Sequence, residues 1–197
     1  IAFGLTIFAA DQQDIVVERL NDKGDEYFDP AGLGEWKQIE VVEEEIAVKG
    51  EAQPRKVQLK FTRHGPVIFE DAKRQRAYVL RWVGTQPGTA GYLGGLAISR
   101  ARNWIEFRQA LARWRLPPEN FVYADVDGNI GYQAAGLVPL RVCDGLLPVR
   151  GDVKTCEWRG FLRPTELPFE YNPAQKFLAT ANNNTLPPTG KKLFGFE

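Results

Sequence analysis

Few residues in this sequence could carry chemistry, and their scarcity narrows the reading. His64 is the only histidine, Ser99 the only serine, and Cys143 and Cys156 the only cysteines. A serine, histidine and acid relay would have to join Ser99, in the segment ISRAR, to His64, beside a Gly-Pro turn. Ser99 lacks the G-x-S-x-G context that lifts a nucleophile onto a sharp turn. His64 is read as structural, its ring satisfying backbone groups at the turn. One histidine and two cysteines do not complete a tetrahedral zinc set without carboxylates of unknown position. Asp125, Asp127 and Asn129 resemble the start of a calcium loop, but that loop needs Gly where Ile130 stands and Glu where Gly136 stands. The residues alone assemble no complete catalytic machine.

The elements that must position any site are mostly strands. NFVYADVDGNIGY, residues 120–132, holds two of them: an aromatic and β-branched run, the turn dipeptide Asp127-Gly128, and a second run at Ile130 and Tyr132. Residues 1–8 read as a buried strand, and Ile15-Val16-Val17 as another that ends near Leu20. Residues 21–34 read as a loop anchored by Tyr27 and Phe28. Residues 39–48, the alternating run Val57, Leu59 and Phe61, the run Val67-Ile68-Phe69, and residues 77–83 predict further strands. Asn103, with Glu106 three residues on, predicts a helix cap, followed by Trp104, Phe107, Leu111 and Trp114 along one face. Pro117-Pro118 would end that helix. Residues 89–100 form a weaker helical candidate, packed if Tyr92, Leu93, Leu96 and Ile98 are buried. Residues 139–173 predict an extended, loop-rich path, and residues 177–181 a last strand running into Asn182-Asn183-Asn184.

At 197 residues and 44% hydrophobic, the chain can bury a real core. Its 25 basic residues balance 25 acidic ones, so no summed field favours nucleic acid or an anionic membrane surface. No apolar run approaches the roughly 18 residues of a membrane-spanning helix. No repeat or linker divides it, so residues 1–197 are expected to form a single partial domain, an internal segment of a longer protein.

The segments FGLTIFAADQQDIVVERL, EEEIAVKG, TRHGPVI, RNWIEFRQAL, NFVYADVDGNIGY, DGLLPVRG, WRGFL and FLATANNN occur here in one order. In that order the sequence resembles the large β subunit of the penicillin acylases, amidases of the N-terminal nucleophile hydrolase superfamily. The resemblance implies an α+β fold: a β-dominated segment of the αββα sandwich, with one or two helices. It implies that the parent protein hydrolyses N-acyl bonds of penicillins or related acyl amides, through a serine at the mature β-subunit N-terminus. This chain begins with Ile1, so it is expected to be inactive alone. Its expected partners are a small-molecule acyl-amide substrate, the α subunit and the remainder of the β subunit, with neither nucleic acid nor membrane. The alternative is a non-catalytic binding or structural domain of an inactive relative.

The resemblance also assigns residues. The side-chain amide of Asn182 and the backbone N–H of Ile7 match the family's two oxyanion donors. Asp11, Gln13, Asp14 and a carbonyl near Gly145 match a structural calcium site, and such a site needs about six to eight oxygens. Calcium is thus expected in the full-length parent at most, and no cofactor is required for the chemistry. Family members are typically periplasmic or secreted, where Cys143 and Cys156 would oxidise to close a short loop. Two buried free thiols are the alternative.

Overall fold

The computed structural model describes residues 1–89, 92–143 and 145–185, with the side chains of 92–94 left out. In chain order the first strands are β1 (Ala2–Ile7), β2 (Gln13–Arg19), β3 (Glu26–Asp29), β4 (Glu35–Gln38), β5 (Glu40–Ile46) and β6 (Arg55–Thr62). Next come β7 (Gly65–Asp71), β8 (Arg76–Trp82), and the helices α1 (Tyr92–Ile98) and α2 (Trp104–Leu111). The last strands are β9 (Glu119–Ala124), β10 (Ile130–Ala135), β11 (Val149–Arg150) and β12 (Phe169–Tyr171). The chain is β-dominated with few helices, as the sequence implies. It gathers into two compact units, one of Ile1–Gln12, Val83–Leu140 and Arg159–Glu197, the other of Gln13–Trp82 and Arg141–Trp158.

The first unit is built on an antiparallel sheet in the order β1-β9-β10-β12. Alternation splits its side chains between two faces. Phe121, Tyr123 and Ala135 pack with Trp104, Phe107 and Leu111 of α2, while Tyr132 and Ala134 join Phe8, Val138, Leu162 and Leu167 in a second cluster. Phe107 and Phe121 are wholly buried, worth about 1.5–3 kcal/mol each in transfer terms. Gly131 lets α2 approach, because a Cβ there would sit 2.4 Å from the Trp104 ring. Asn103 Oδ1 accepts from the Glu106 N–H, and the Glu106 carboxylate accepts from the Arg102 N–H, one residue before the expected partner.

The hairpin turn is longer than two residues. Asp125 Oδ1 accepts from the N–H groups of Asp127 and Asn129, and Gly128 alone takes the positive φ angle, of 84°. Three other expectations change. The apolar run at the start of the chain reads as a strand buried on both faces, yet β1 is an edge strand with Phe3, Leu5 and Ile7 exposed. Residues 177–181 form no strand, since side chains rather than a backbone ladder tie this stretch to its neighbours. In α1, Ile98 is buried and Leu96 exposed, while the packing of Tyr92 and Leu93 lies outside the described residues.

The second unit holds a six-stranded sheet, β11-β2-β8-β7-β6-β5, and the pair β3-β4. That pair lies partly in the stretch read as loop, where Gly and Pro mask a short Tyr-Phe strand. The inward face of β2 reads Asp14, Val16, Glu18 and then Leu20, all buried. Two of these are acids, so the core of this unit has to supply their partners.

Candidate functional site

At the end of β1 the chain meets residues 180–185. The Ile7 N–H donates to Asn182 Oδ1 at 2.9 Å, and Thr6 Oγ1 donates to Thr180 Oγ1 at 2.9 Å. Behind this corner stands Asn120, fully buried, whose Nδ2 donates to the Ile7 carbonyl at 2.8 Å. Its Oδ1 accepts from the Tyr132 hydroxyl at 2.7 Å and from Thr185 Oγ1 at 3.2 Å. Burial pushes the Tyr132 hydroxyl up to about 12, against the opposing bond with Thr185, so it stays protonated and can donate. The backbone of Ile7 is thereby held on both sides of its Cα, its N–H by Asn182 and its carbonyl by Asn120. Asn182 itself has φ 59°, a left-handed conformation that asparagine tolerates better than most residues. Sequence reasoning named Ile7 and Asn182 but missed Asn120 and Tyr132. Both lie in NFVYADVDGNIGY, where a buried Asn in an aromatic strand was the available signal.

His64 is buried, but the turn backbone is not what satisfies it. Its Nδ1 lies 2.6 Å from Glu18 Oε1, and its Nε2 lies 3.0 Å from Glu157 Oε1. Glu157 also accepts from Arg63 at 2.5 Å and from Arg81 at 2.9 Å, while Arg63 Nε reaches Asp29 at 3.0 Å. Burial works against charge on the ring, and the bonds to Glu157 and Glu18 outweigh it, raising the His64 pKa above its ordinary value. Burial likewise opposes the Glu157 charge, yet the bonds from His64 and Arg63 hold that carboxyl well below the usual range. With both ring nitrogens committed to carboxylates, His64 is not poised to activate a nucleophile. Ser99 Oγ points back to the Gly95 carbonyl at 3.5 Å.

Of the residues matched to calcium, Gln13, Asp14 and Gly145 are brought together. Arg141 Nε donates to both Asp14 oxygens, at 3.0 and 3.2 Å, and its Nη2 donates to the Gln13 carbonyl at 3.2 Å. Trp158 Nε1 donates to Asp14 Oδ2 as well. Asp11 is half-buried and belongs to the other unit. Among the described residues, no three of His, Cys, Asp and Glu gather as a metal ion would require.

Cys143 and Cys156 are joined, with Cα atoms 5.1 Å apart. Among the described residues, no helix is long and apolar enough to cross a membrane. A cleft of about 280 Å³ lies beside α2, lined by Trp104, Arg108, Trp114 and Leu167 among others, and it contains no histidine, cysteine or carboxylate.

Comparison with known proteins adds what the geometry alone lacks. The family model described as penicillin amidase matches residues 1–196. Penicillin G acylase of Escherichia coli is 36% identical over 189 residues, covering 93% of this chain and 21% of that protein. The acyl-homoserine lactone acylase QuiP of Pseudomonas aeruginosa is 30% identical over 200 residues, covering 95% of this chain and 23% of that protein. A thermostable penicillin G acylase from Alcaligenes faecalis superposes with a TM-score of 0.84 at 32% identity, over 96% of this chain and 34% of that one. The chain thus spans roughly a fifth to a quarter of the length of the curated relatives it matches.

Proposed function

Because this chain belongs to the penicillin amidase family, we propose that it is the oxyanion-binding part of an amidase that hydrolyses N-acyl bonds by attack of an N-terminal serine. The observation that carries this reading is the Ile7 N–H and the Asn182 side-chain amide at one corner, 2.9 Å apart. When a nucleophile adds to an amide carbonyl, negative charge gathers on oxygen, and neutral donors fixed in advance stabilise it without reorganising. The backbone next to the Ile7 N–H is anchored by the Asn120 bond to the Ile7 carbonyl. Rotation of the Asn182 amide would turn its NH2 group to the same side, so that an oxyanion replaces Asn182 Oδ1 as the acceptor. Neither step uses a metal. The serine, whose own α-amino group would take its proton, is assigned to the rest of the whole protein, together with the α subunit that completes the acyl pocket. The substrate class is small acyl amides, penicillins and acyl-homoserine lactones among them. Exposed Phe3, Leu5 and Ile7 on an edge strand support packing against that remainder. The disulfide supports a periplasmic or secreted location.

The test is Asn182→Ala in the whole protein, with kcat and KM measured on an acyl-amide substrate. A kcat lower by about two to three orders of magnitude at little-changed KM supports the oxyanion role. One observation favours a second reading. Asn182 Oδ1, an acceptor, faces Ile7, as it would if the residue only tied down a strand end in a non-catalytic relative. An unchanged kcat would leave Asn182 in that structural role, and absence of any nucleophilic serine in the whole protein would favour the non-catalytic reading.

A further inference from the structure

We propose that the Arg141 guanidinium takes the place of a divalent cation at the Gln13–Asp14 corner, so that the Arg141–Trp158 excursion is tied to β2 without calcium. The donor set itself carries this. Calcium would need the oxygens of Asp14 and the Gln13 carbonyl at about 2.3–2.6 Å. Arg141 already donates to all three oxygens, at 3.0, 3.2 and 3.2 Å. A planar guanidinium suits this task, since its fixed fork meets a carboxylate and a neighbouring carbonyl together.

Among the described residues, the surroundings fit an arginine and not a metal. Trp158 Nε1 takes a further lone pair of Asp14 Oδ2. The indole ring carries Arg141 Cζ at 5.5 Å and Arg81 Cζ at 4.4 Å from its centroid. Arg81, whose guanidinium bonds Glu157, stands opposite Asp14 in the β2–β8 register, so a second cation lines this face of the sheet. A dication entering here would meet the Arg141 charge at contact range and would displace an arginine whose side chain is 11% exposed. Gly145 closes the corner. Its φ is 76°, and a Cβ would lie 2.4 Å from Asp14 Oδ1 and 3.1 Å from Arg141 Nε, so the glycine leaves room for the ion pair and for little else. The pair fixes one end of the excursion, and the parallel pairing of Val149 with Val16 fixes its middle.

The inference is independent of catalysis and is tested on the whole protein by unfolding temperature and calorimetric titration with calcium chloride. Between chelator and calcium, wild type is expected to shift in unfolding temperature, and to give binding heat, no more than Asp14→Asn does. Arg141→Gln is expected to unfold at least about 2 °C lower in both. A saturable rise in the wild-type unfolding temperature with calcium, abolished by Asp14→Asn, would overturn the proposal, as would an Arg141→Gln protein of wild-type stability. If Arg141→Gln does not fold, Arg141→Lys keeps the charge and loses the fork. An unfolding temperature below wild type again supports the proposal, and an unchanged one overturns it.

Discussion

At the scale of single residues, the most consequential position is Ile7, whose backbone is held at its N–H by Asn182 and at its carbonyl by Asn120. Ile7 contributes no side-chain chemistry, so its proposed role could not be read from residue type. It depends on where Asn120 and Asn182 place their amides. The Asn182→Ala prediction therefore has a specific kinetic signature, a fall in kcat with KM nearly kept. A donor to the developing oxyanion stabilises the transition state more than the bound substrate. A mutation that merely loosened the corner would also misplace the substrate and move KM.

His64 carries a second prediction, one of stability. Its folded pKa is raised, so its contribution is fully present below the unfolded value of 6.5 and is lost as pH rises through the folded value. Glu157 is depressed, so its contribution is present above 4.5 and is lost as pH falls. Both are complete between those two values. The urea-unfolding gap between wild type and His64→Gln is expected to be widest between pH 4.5 and 6.5 and to narrow as pH rises above 6.5. A gap that stays constant over that range would mean that the ring acts by packing alone.

At the scale of elements, local pattern was a good guide wherever the chain pairs with its own near neighbours. The hairpin of β9 and β10, the β5–β6 pair and the cap of α2 all rest on contacts between residues close in sequence, and all are where the pattern puts them. Reading failed where distant chain decides the outcome. Residues 177–181 read as a strand but find no ladder; among near neighbours the exception is the β3–β4 pair, missed because the Pro and Gly between Asp29 and Glu35 read as loop. The buried acids of β2, Asp14 and Glu18, flank the run Ile15-Val16-Val17. Their partners, His64, Arg141 and Trp158, come from much later in the chain, and no window of sequence could show them.

The disulfide belongs to this scale as well. It closes a loop with a sequence separation of 13 within the excursion that brings Glu157 to His64 and Trp158 to Asp14. Replacing both Cys143 and Cys156 by Ser is expected to lower unfolding free energy by about 3 kcal/mol through the freedom regained by the unfolded chain. Urea titration of the double variant measures this. A change below about 0.5 kcal/mol would show that the β11 pairing and the Asp14–Arg141 pair hold the excursion without it.

At the scale of the molecule, two compact units arise with no linker composition to mark them. The chain passes between them at Gln12-Gln13, Trp82-Val83, Leu140-Arg141 and Trp158-Arg159, without a Pro- or Gly-rich spacer at these junctions. The first unit holds the two proposed donors, Ile7 and Asn182, and neither unit holds a described side chain ready to attack. The two cysteines are consumed in a disulfide, Ser99 Oγ faces the Gly95 carbonyl, and the only imidazole has both nitrogens on carboxylates. Oxyanion donors alone lower a barrier only when something adds to the carbonyl, and a nucleophile needs a base within hydrogen-bond reach. The purified 197-residue chain is therefore expected to show no turnover of a chromogenic acyl anilide above that of its Ser99→Ala variant, with folding checked by circular dichroism. Turnover by the chain that disappears in Ser99→Ala would place the nucleophile within this chain, and with it would fall the assignment of the attacking serine to the rest of the whole protein.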